Sequence, residues 1–243
     1  MQLIKLSATD STNAYLKRLQ RRETLPDFTV VQAALQTAGK GQRGARWEGE
    51  AGKNLTFSVL KKFDALPART HFALNIEVSL AVLRVLQSMG IPDLSIKWPN
   101  DILSGHHKIC GILIENQLKG DAISQSIIGI GLNVNQLEFG DLPRASSLKK
   151  ITGRDYALDE LLAALLPTLA RQLPRAAEAP FEAVLPDYYA HLFKKDKPAT
   201  FSRPGGEPFP AIIRGVEPDG KLRLEVERGQ YETFAFKELQ LHY

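Results

Sequence analysis

Gln36-Thr37-Ala38-Gly39-Lys40-Gly41-Gln42-Arg43-Gly44-Ala45-Arg46-Trp47 follows directly on the apolar run at residues 28–35. Three glycines and three cations fall within this stretch. Glycine lets the backbone turn tightly and approach a ligand with no Cβ in the way. Lys40, Arg43 and Arg46 can neutralise phosphate or carboxylate, and successive backbone N–H groups in such a loop can form an anion-binding concavity. The segment therefore reads as a loop that closes over a phosphate-bearing molecule. The competing reading is a solvated basic surface loop. The spacing Gly39-x-Gly41-x-x-Gly44 repeats the glycines of the dinucleotide fingerprint, but residues 45–49 are a poor helix start and no acidic residue ends a strand about 20 positions on. The G-x-x-x-x-G-K-[ST] phosphate loop is absent as well.

Four more motifs surround it. Ser11-Thr12-Asn13 precedes it. Lys97-Trp98-Pro99-Asn100-Asp101 follows, after the strand-like residues 94–96. Then come Lys108-Ile-Cys-Gly111-Ile-Leu-Ile114-Glu115 and Gly129-Ile-Gly131-Leu-Asn133. In this order the five resemble the biotin–protein ligase family, closely over residues 11–148 and more weakly beyond. The resemblance implies an α+β fold. A mixed sheet with flanking helices, of the class II synthetase-like kind, would occupy residues 1–193, and a small C-terminal β-barrel residues 194–243. It implies ATP-dependent activation of biotin to biotinyl-5'-AMP, assisted by magnesium. Biotin would then pass to a lysine of a biotin carboxyl carrier protein, the activity of a biotin–[acetyl-CoA-carboxylase] ligase. Two alternatives stay open: a lipoate or octanoate ligase or transferase of the same fold, and a non-catalytic regulator that binds biotin or its adenylate.

The chain has 243 residues, 44% apolar and 24% charged, with a net charge of +4. This is the composition of a globular protein, and the excess charge is too small and scattered to argue for nucleic acid. A single cysteine, Cys110, excludes an internal disulfide and any multi-cysteine zinc site. No apolar run approaches the ~20 residues of a membrane span, and the first residues lack a signal-peptide shape. A cytoplasmic protein is expected, with no membrane contact. The Ser-Thr-Asn motif begins at residue 11, which leaves no room here for the DNA-binding winged helix of some family members, so no DNA binding is expected. Exposed sheet edges in the family often build homodimers.

Periodicity places strands at 2–6, 28–35, 55–61, 108–115 and 122–134, and helices at about 11–22 and 70–89. The leucines at 158, 161, 162, 165, 166 and 169 form a stripe of core-packing kind, and 181–191 reads as one more helix. After residue 194, short alternating segments separated by Gly and Pro turns suggest antiparallel strands.

Acyl adenylation brings two anions together, so cations near the reacting atoms carry the chemistry. Lys108 precedes an apolar strand that can hold it rigidly. It matches the family lysine that contacts the biotin carboxylate and the α-phosphate. Arg43, with Lys40, matches the phosphate clamp, where a planar guanidinium suits bidentate contact. Backbone amides from Gly39 to Gly44 add donors. Arg46 and Trp47 fit the basic-x-Trp pattern, with Trp47 read as an anchor for the loop. Ser11, Thr12, Asn13 and Gln36 match positions at the biotin ring, with a plain helix N-cap as the competing role for Ser11. Gly39, Lys40 and Gln42 flank the ligand, and at Gly111 and Gly129 a side chain would crowd it. Lys97, Asn100 and Asp101 fall at a strand end broken by Pro99. Asp101 is the candidate for orienting magnesium and pyrophosphate. Gly44, Arg46 and Asn133 match positions near the nucleotide, and 136–144 weakly resembles a loop over adenine. The best-known family members read G-R-G-R-R-G where this chain has Gly39-Lys-Gly-Gln42-Arg-Gly44. The arginine replaced by Gln42 helps the family retain its adenylate, so this chain is expected to release the adenylate faster.

Overall fold

Residues 55–60 and 127–132 are apolar or small at nearly every position, the pattern of strands covered on both faces. The computed structural model describes residues 1–227 and 229–243, with the side chain of Arg43 outside that description. Seven strands form one sheet: β1 (Gln2–Thr9), β2 (Thr29–Gln36), β3 (Leu55–Pro67), β4 (Leu94–Lys97), β5 (Asp101–Ser104), β6 (His107–Lys119) and β7 (Ala122–Leu132). Their order is β1-β2-β3-β7-β6-β5-β4. β1 runs parallel to β2 and the other neighbours are antiparallel, so the sheet is mixed as expected.

Alternation along the strands divides the two faces. Leu55, Phe57 and Val59 of β3 join Ile128, Ile130 and Leu132 of β7 in the main core. That core is covered by α2 (Phe72–Ser88), which is buried on every side from Phe72 to Leu83. α3 (Leu148–Thr152) is a single turn, and α4 (Leu158–Gln172) lays the expected leucine stripe against α2. α5 (Arg175–Glu178) and α6 (Phe181–His191) complete this layer. Cys110 faces the same core, where burial pushes its thiol far above the ordinary range. On the opposite face, α1 (Thr12–Gln20) covers only part of the sheet. Its Leu16 meets Leu25, Val31, Leu60 and Ile127 in a smaller cluster. The rest of that face, above β6 and β7, is left uncovered by helix.

The C-terminal strands are β8 (Pro198–Ser202), β9 (Phe209–Val216), β10 (Leu222–Glu227), β11 (Gln230–Phe234) and β12 (Gln240–His242). They form an antiparallel sheet in the order β11-β10-β9-β8-β12. The expected barrel is therefore not closed: among the described residues β11 and β12 are two free edges. Closure would need β12 to reach β11. Instead residues 235–239 leave the sheet, and Phe236 meets the Trp98 ring edge-on at 6.1 Å. Trp98 Nε1 also donates to the Gly220 carbonyl at 2.9 Å, and Val216 N donates to the Tyr189 hydroxyl of α6 at 3.1 Å. These contacts seat the second sheet beside the β4–β5 turn.

Candidate active site

The uncovered face forms a cleft with a glycine floor. Gly111 on β6 and Gly131 on β7 are register partners, and Gly129 lies two residues along the same face. No side chain rises from these positions, and that lets neighbours settle on the backbone: the Trp47 ring over Gly131 and Gly111, Lys108 Nζ over Gly111, and the Asn13 amide over Gly129.

The glycine-rich loop roofs one end. Gly41 N donates to Ala45 O at 2.7 Å and Trp47 N to Gly39 O at 3.0 Å, while Lys40 and Arg46 bridge across. These bonds close a small hairpin around the turn Gln42–Gly44. Gly44 has φ +86°, a conformation that favours glycine. Lys40, Gln42 and Arg46 line the cleft, whereas Gly39 and Gly44 shape the loop without lining it. The side chain of Arg43 lies outside the described residues. Trp47 anchors the loop as expected, and it does so on the cleft floor. A Cβ added to Gly131 would stand 2.4 Å from its ring, and one on Gly111 3.0 Å. Its Nε1 is buried with no hydrogen-bond partner among the described residues.

The β4–β5 hairpin supplies the charged end. Lys97 and Asp101 are register partners across the turn Trp98-Pro99-Asn100. Asn100 Nδ2 donates to Ile112 O at 2.6 Å and Asn100 O accepts from Ile112 N at 3.0 Å, which ties the turn to β6. Lys108 Nζ lies 2.6 Å from Asp101 Oδ1 and 5.8 Å from the Trp47 ring centre. Lys97 Nζ is 3.9 Å from Asp101 Oδ2. Burial lowers the pKa of Lys97, helped by the cations Lys108 and Arg144 and opposed by Asp101. Two lysines thus flank one carboxylate, leaving an excess of positive charge that favours a further anion.

Arg144 carries no role in the sequence reading. Its carbonyl accepts from Lys108 N at 2.7 Å and its guanidinium lies 4.3 Å from the Tyr243 ring centre, which Lys97 Nζ also approaches at 5.4 Å. Neither Arg144 nor Tyr243 has a local signal, because residues far apart in the chain create the contact. Asn133 is buried below the cleft and does not line it. Its Nδ2 donates to Ser146 O at 2.9 Å, pinning the segment that leads to α3.

The other end is uncharged and polar. Ser11 occupies the N-cap position of α1 but makes no capping bond with its side chain. Ser11 N donates to the Asp10 carboxylate at 2.8 Å, and the bond from Arg18 holds Asp10 well below its ordinary pKa. Ser11 and Asn13 both line the cleft, beside Thr12 and Gln36. Thr12 N donates to Gln36 Oε1 at 2.8 Å. Ser58 Oγ stands 2.7 Å from Thr12 Oγ1 and 2.6 Å from Asn13 Oδ1. Asn13 Nδ2 donates to Glu115 Oε2 at 2.8 Å, and Lys17 Nζ holds Glu115 Oε1 at 2.6 Å. Ser58 lies outside every sequence motif. Pairing of β3 with β7 brings it opposite Gly129.

Among the described residues, no group of three or more His, Cys, Asp or Glu side chains is arranged to hold a metal ion. One carboxylate beside a phosphate site still suits magnesium, which is commonly held by one or two carboxylates plus substrate phosphates.

Comparison with known proteins gives concordant results. Residues 6–133 match the model of the Biotin/lipoate A/B protein ligase family. The bifunctional ligase/repressor BirA of Salmonella typhimurium is 30% identical over 227 residues, covering 90% of this chain and 68% of that protein. A biotin–[acetyl-CoA-carboxylase] ligase of Paracoccus denitrificans is 28% identical, covering 93% of this chain and 95% of its own. A biotin protein ligase from Aquifex aeolicus, solved in complex with biotin and ATP, superposes with a TM-score of 0.79 at 26% identity, covering 99% and 98% of the two chains.

Proposed function

Because the chain belongs to the Biotin/lipoate A/B protein ligase family, we propose that it is an ATP-dependent biotin–[acetyl-CoA-carboxylase] ligase. It activates biotin and transfers it to a lysine of a biotin carboxyl carrier protein. The observation that carries this reading is the two-ended cleft. A neutral polar wall and a cationic cluster share one glycine floor, with the Lys108 ammonium held over Gly111 between them.

The reaction has two steps. A biotin carboxylate oxygen attacks the α-phosphorus of ATP and pyrophosphate leaves. The acceptor lysine amine then attacks the acyl carbon and AMP leaves. Ser11, Thr12, Asn13 and Gln36 hold the ring system, and the bare backbone of Gly129 and Gly111 makes room for the Asn13 and Lys108 side chains that border it. Lys108 offsets the charge of carboxylate and α-phosphate as they meet, which preorganised cations do without reorganisation cost at the moment of reaction. Lys40, Arg43, Arg46 and Lys97 hold the phosphates, with the side chains of Gln42 and Asn100 bordering ligand and nucleotide, while Gly39 and Gly44 shape the loop and Asn133 supports the floor from below. Most of the remaining rate enhancement is positioning. Asp101 would hold magnesium, which supplies charge neutralisation on the phosphates. In this reading residues 1–193 are the catalytic unit and 194–243 the smaller one. Two copies pair through open sheet edges such as β1, and the enzyme works in the cytoplasm. No helix among the described residues is long and apolar enough to cross a membrane.

Pyrophosphate exchange into ATP, with biotin, lipoate and octanoate supplied separately, tests the assignment. Exchange with biotin alone is expected. Exchange with lipoate or octanoate instead, or with none of the three acids, overturns it.

A further inference from the structure

A second cavity, of about 490 Å3, opens past the charged end of the cleft, between the β4–β5 turn and the second sheet. Lys97 and Phe236 line both spaces and form their common wall. Lys97, Arg144 and Lys237 line the cavity, and among the described residues no Asp or Glu does. The rings of Trp98, Phe193 and Tyr243 stand among them. The chemistry above uses only Lys97 of this set.

Three rings from distant parts of the chain hold the cations in place. His106 lies in the β5–β6 turn, Phe193 follows α6 and Tyr243 follows β12. The Tyr243 ring lies within 25° of parallel to His106, with 6.3 Å between centres, and meets Phe193 at 5.2 Å. Phe193 and His106 meet edge-on at 5.6 Å. Two cations approach the Tyr243 ring, the Arg144 guanidinium at 4.3 Å and Lys97 Nζ at 5.4 Å. An aromatic ring attracts each of them, which offsets part of their mutual repulsion. Arg144 is also fixed through its backbone, since Lys108 N donates to its carbonyl at 2.7 Å and Ser146 N donates to Lys108 O at 3.0 Å. Lys108, Lys97 and Arg144 thus form a row that starts over Gly111 and ends in the second cavity. Asp101 serves the first two members, at 2.6 and 3.9 Å. Among the described residues no carboxylate pairs with Arg144. The outer end of the row therefore carries positive charge that an incoming anion can meet.

We propose that this cavity is an anion subsite for the terminal phosphates of the nucleotide and for the pyrophosphate that leaves, with Arg144 as a phosphate-binding residue and Tyr243 as the positioning residue that holds Arg144 and Lys97 toward it. The proposal rests on the reading of the cleft as a site of acyl adenylation, the reaction that releases pyrophosphate. A guanidinium offers paired donors in a fixed plane, which suits phosphate oxygens. The aromatic walls keep water away and so strengthen the attraction between the cations and the phosphates. AMP and biotin lack the groups this subsite binds.

Pyrophosphate exchange into ATP, with biotin and magnesium, tests this on the full chain and on the Arg144→Met, Tyr243→Leu and Tyr243→Phe variants. KM for pyrophosphate is expected to rise about tenfold in Arg144→Met, the equivalent of ~1.4 kcal/mol. It should rise about fivefold in Tyr243→Leu, which loses the ring face, and stay within about twofold of wild type in Tyr243→Phe, which keeps it. The inhibition constant of AMP and the biotin Kd from calorimetry should stay within about twofold in all three variants, because neither ligand reaches the row's outer end. An unchanged KM for pyrophosphate in Arg144→Met overturns the subsite. Equal losses in Tyr243→Phe and Tyr243→Leu overturn the role given to the ring. Parallel losses for pyrophosphate, AMP and biotin are the signature of general damage and overturn the proposal as well. If Tyr243→Leu does not fold, Arg144→Met decides the matter, because Arg144 is exposed. Wild-type protein that shows no exchange would instead overturn the adenylation reading, and this proposal with it.

Discussion

Gly131→Ala isolates the contact that seats the glycine-rich loop. The backbone at Gly131 is compatible with alanine, so the effect comes from the added methyl alone. That methyl would stand 2.4, 2.6 and 2.9 Å from three Trp47 ring atoms, where ordinary contact begins at 3.4 Å. Either β7 or the ring must move by about an ångström, and overpacking of this kind costs ~1–3 kcal/mol. β7 is a central strand paired on both sides, whereas the loop is held by a few exposed backbone bonds. The ring therefore yields and lifts the loop with it. At the upper end of that range, with about half of the cost (~1.5 kcal/mol) falling on nucleotide binding, KM for ATP in the exchange assay rises about tenfold. The melting temperature should fall by no more than ~6 °C, since the remaining ~1.5 kcal/mol shifts a chain of this size by ~2–4 °C per kcal/mol. The decisive control is the Trp47→Ala background. With no ring to strike, Gly131→Ala should then change KM by less than about twofold, the mark of two coupled sites. An equal tenfold rise in both backgrounds would refute the argument.

Lys108→Met should lower kcat of exchange by about 10²–10³, as when a preorganised transition-state contact is removed; a rate within about tenfold of wild type would deny Lys108 its role. Gln42→Arg should slow dissociation of preformed biotinyl-5'-AMP in a filter-binding chase, and equal rates would show that the residue does not govern retention. Trp98→Phe loses the bond to the Gly220 carbonyl, worth ~1 kcal/mol, and calorimetry should record a fall of ~2–4 °C in melting temperature. Glu77 on α2 is buried beside Arg175 Nε at 3.0 Å, and burial outweighs that partner, so its carboxyl pKa is raised. The folded state then holds this proton more tightly than the unfolded state, and stability falls as pH rises from the ordinary carboxylate value through the raised one. Urea titrations across that window should show this fall in wild type and a flatter profile in Glu77→Gln; identical slopes would contradict it.

The parts legible in the sequence are those whose signal is local. α2 and α4 declare themselves by apolar spacing, and the five motifs bring most of their candidate side chains to one cleft. What escaped depends on pairing. Ser58 matters because the register of β3 on β7 sets it opposite Gly129, and a lone serine in an apolar strand gives no hint of that. Gly111 and Gly131 are far apart in sequence, and only the β6–β7 ladder makes them a seat for Trp47. Ser11 holds the N-cap position, yet its side chain makes no bond to the first turn and lines the cleft instead, an orientation that spacing cannot decide. The barrel failed to close for a similar reason. β12 is three residues long with no alternation to read, and Phe236 is drawn off the sheet by an aromatic partner in another part of the chain.

The contact between Lys108 and Asp101 has one more consequence. In the empty cleft the enzyme carries its own competitive inhibitor. Asp101 occupies the ammonium that an incoming carboxylate needs, so a small organic acid arriving alone exchanges one carboxylate for another and gains little. A ligand that brings several negative charges, together with a cation able to take over Asp101, releases the lysine and rehouses its former partner in the same event.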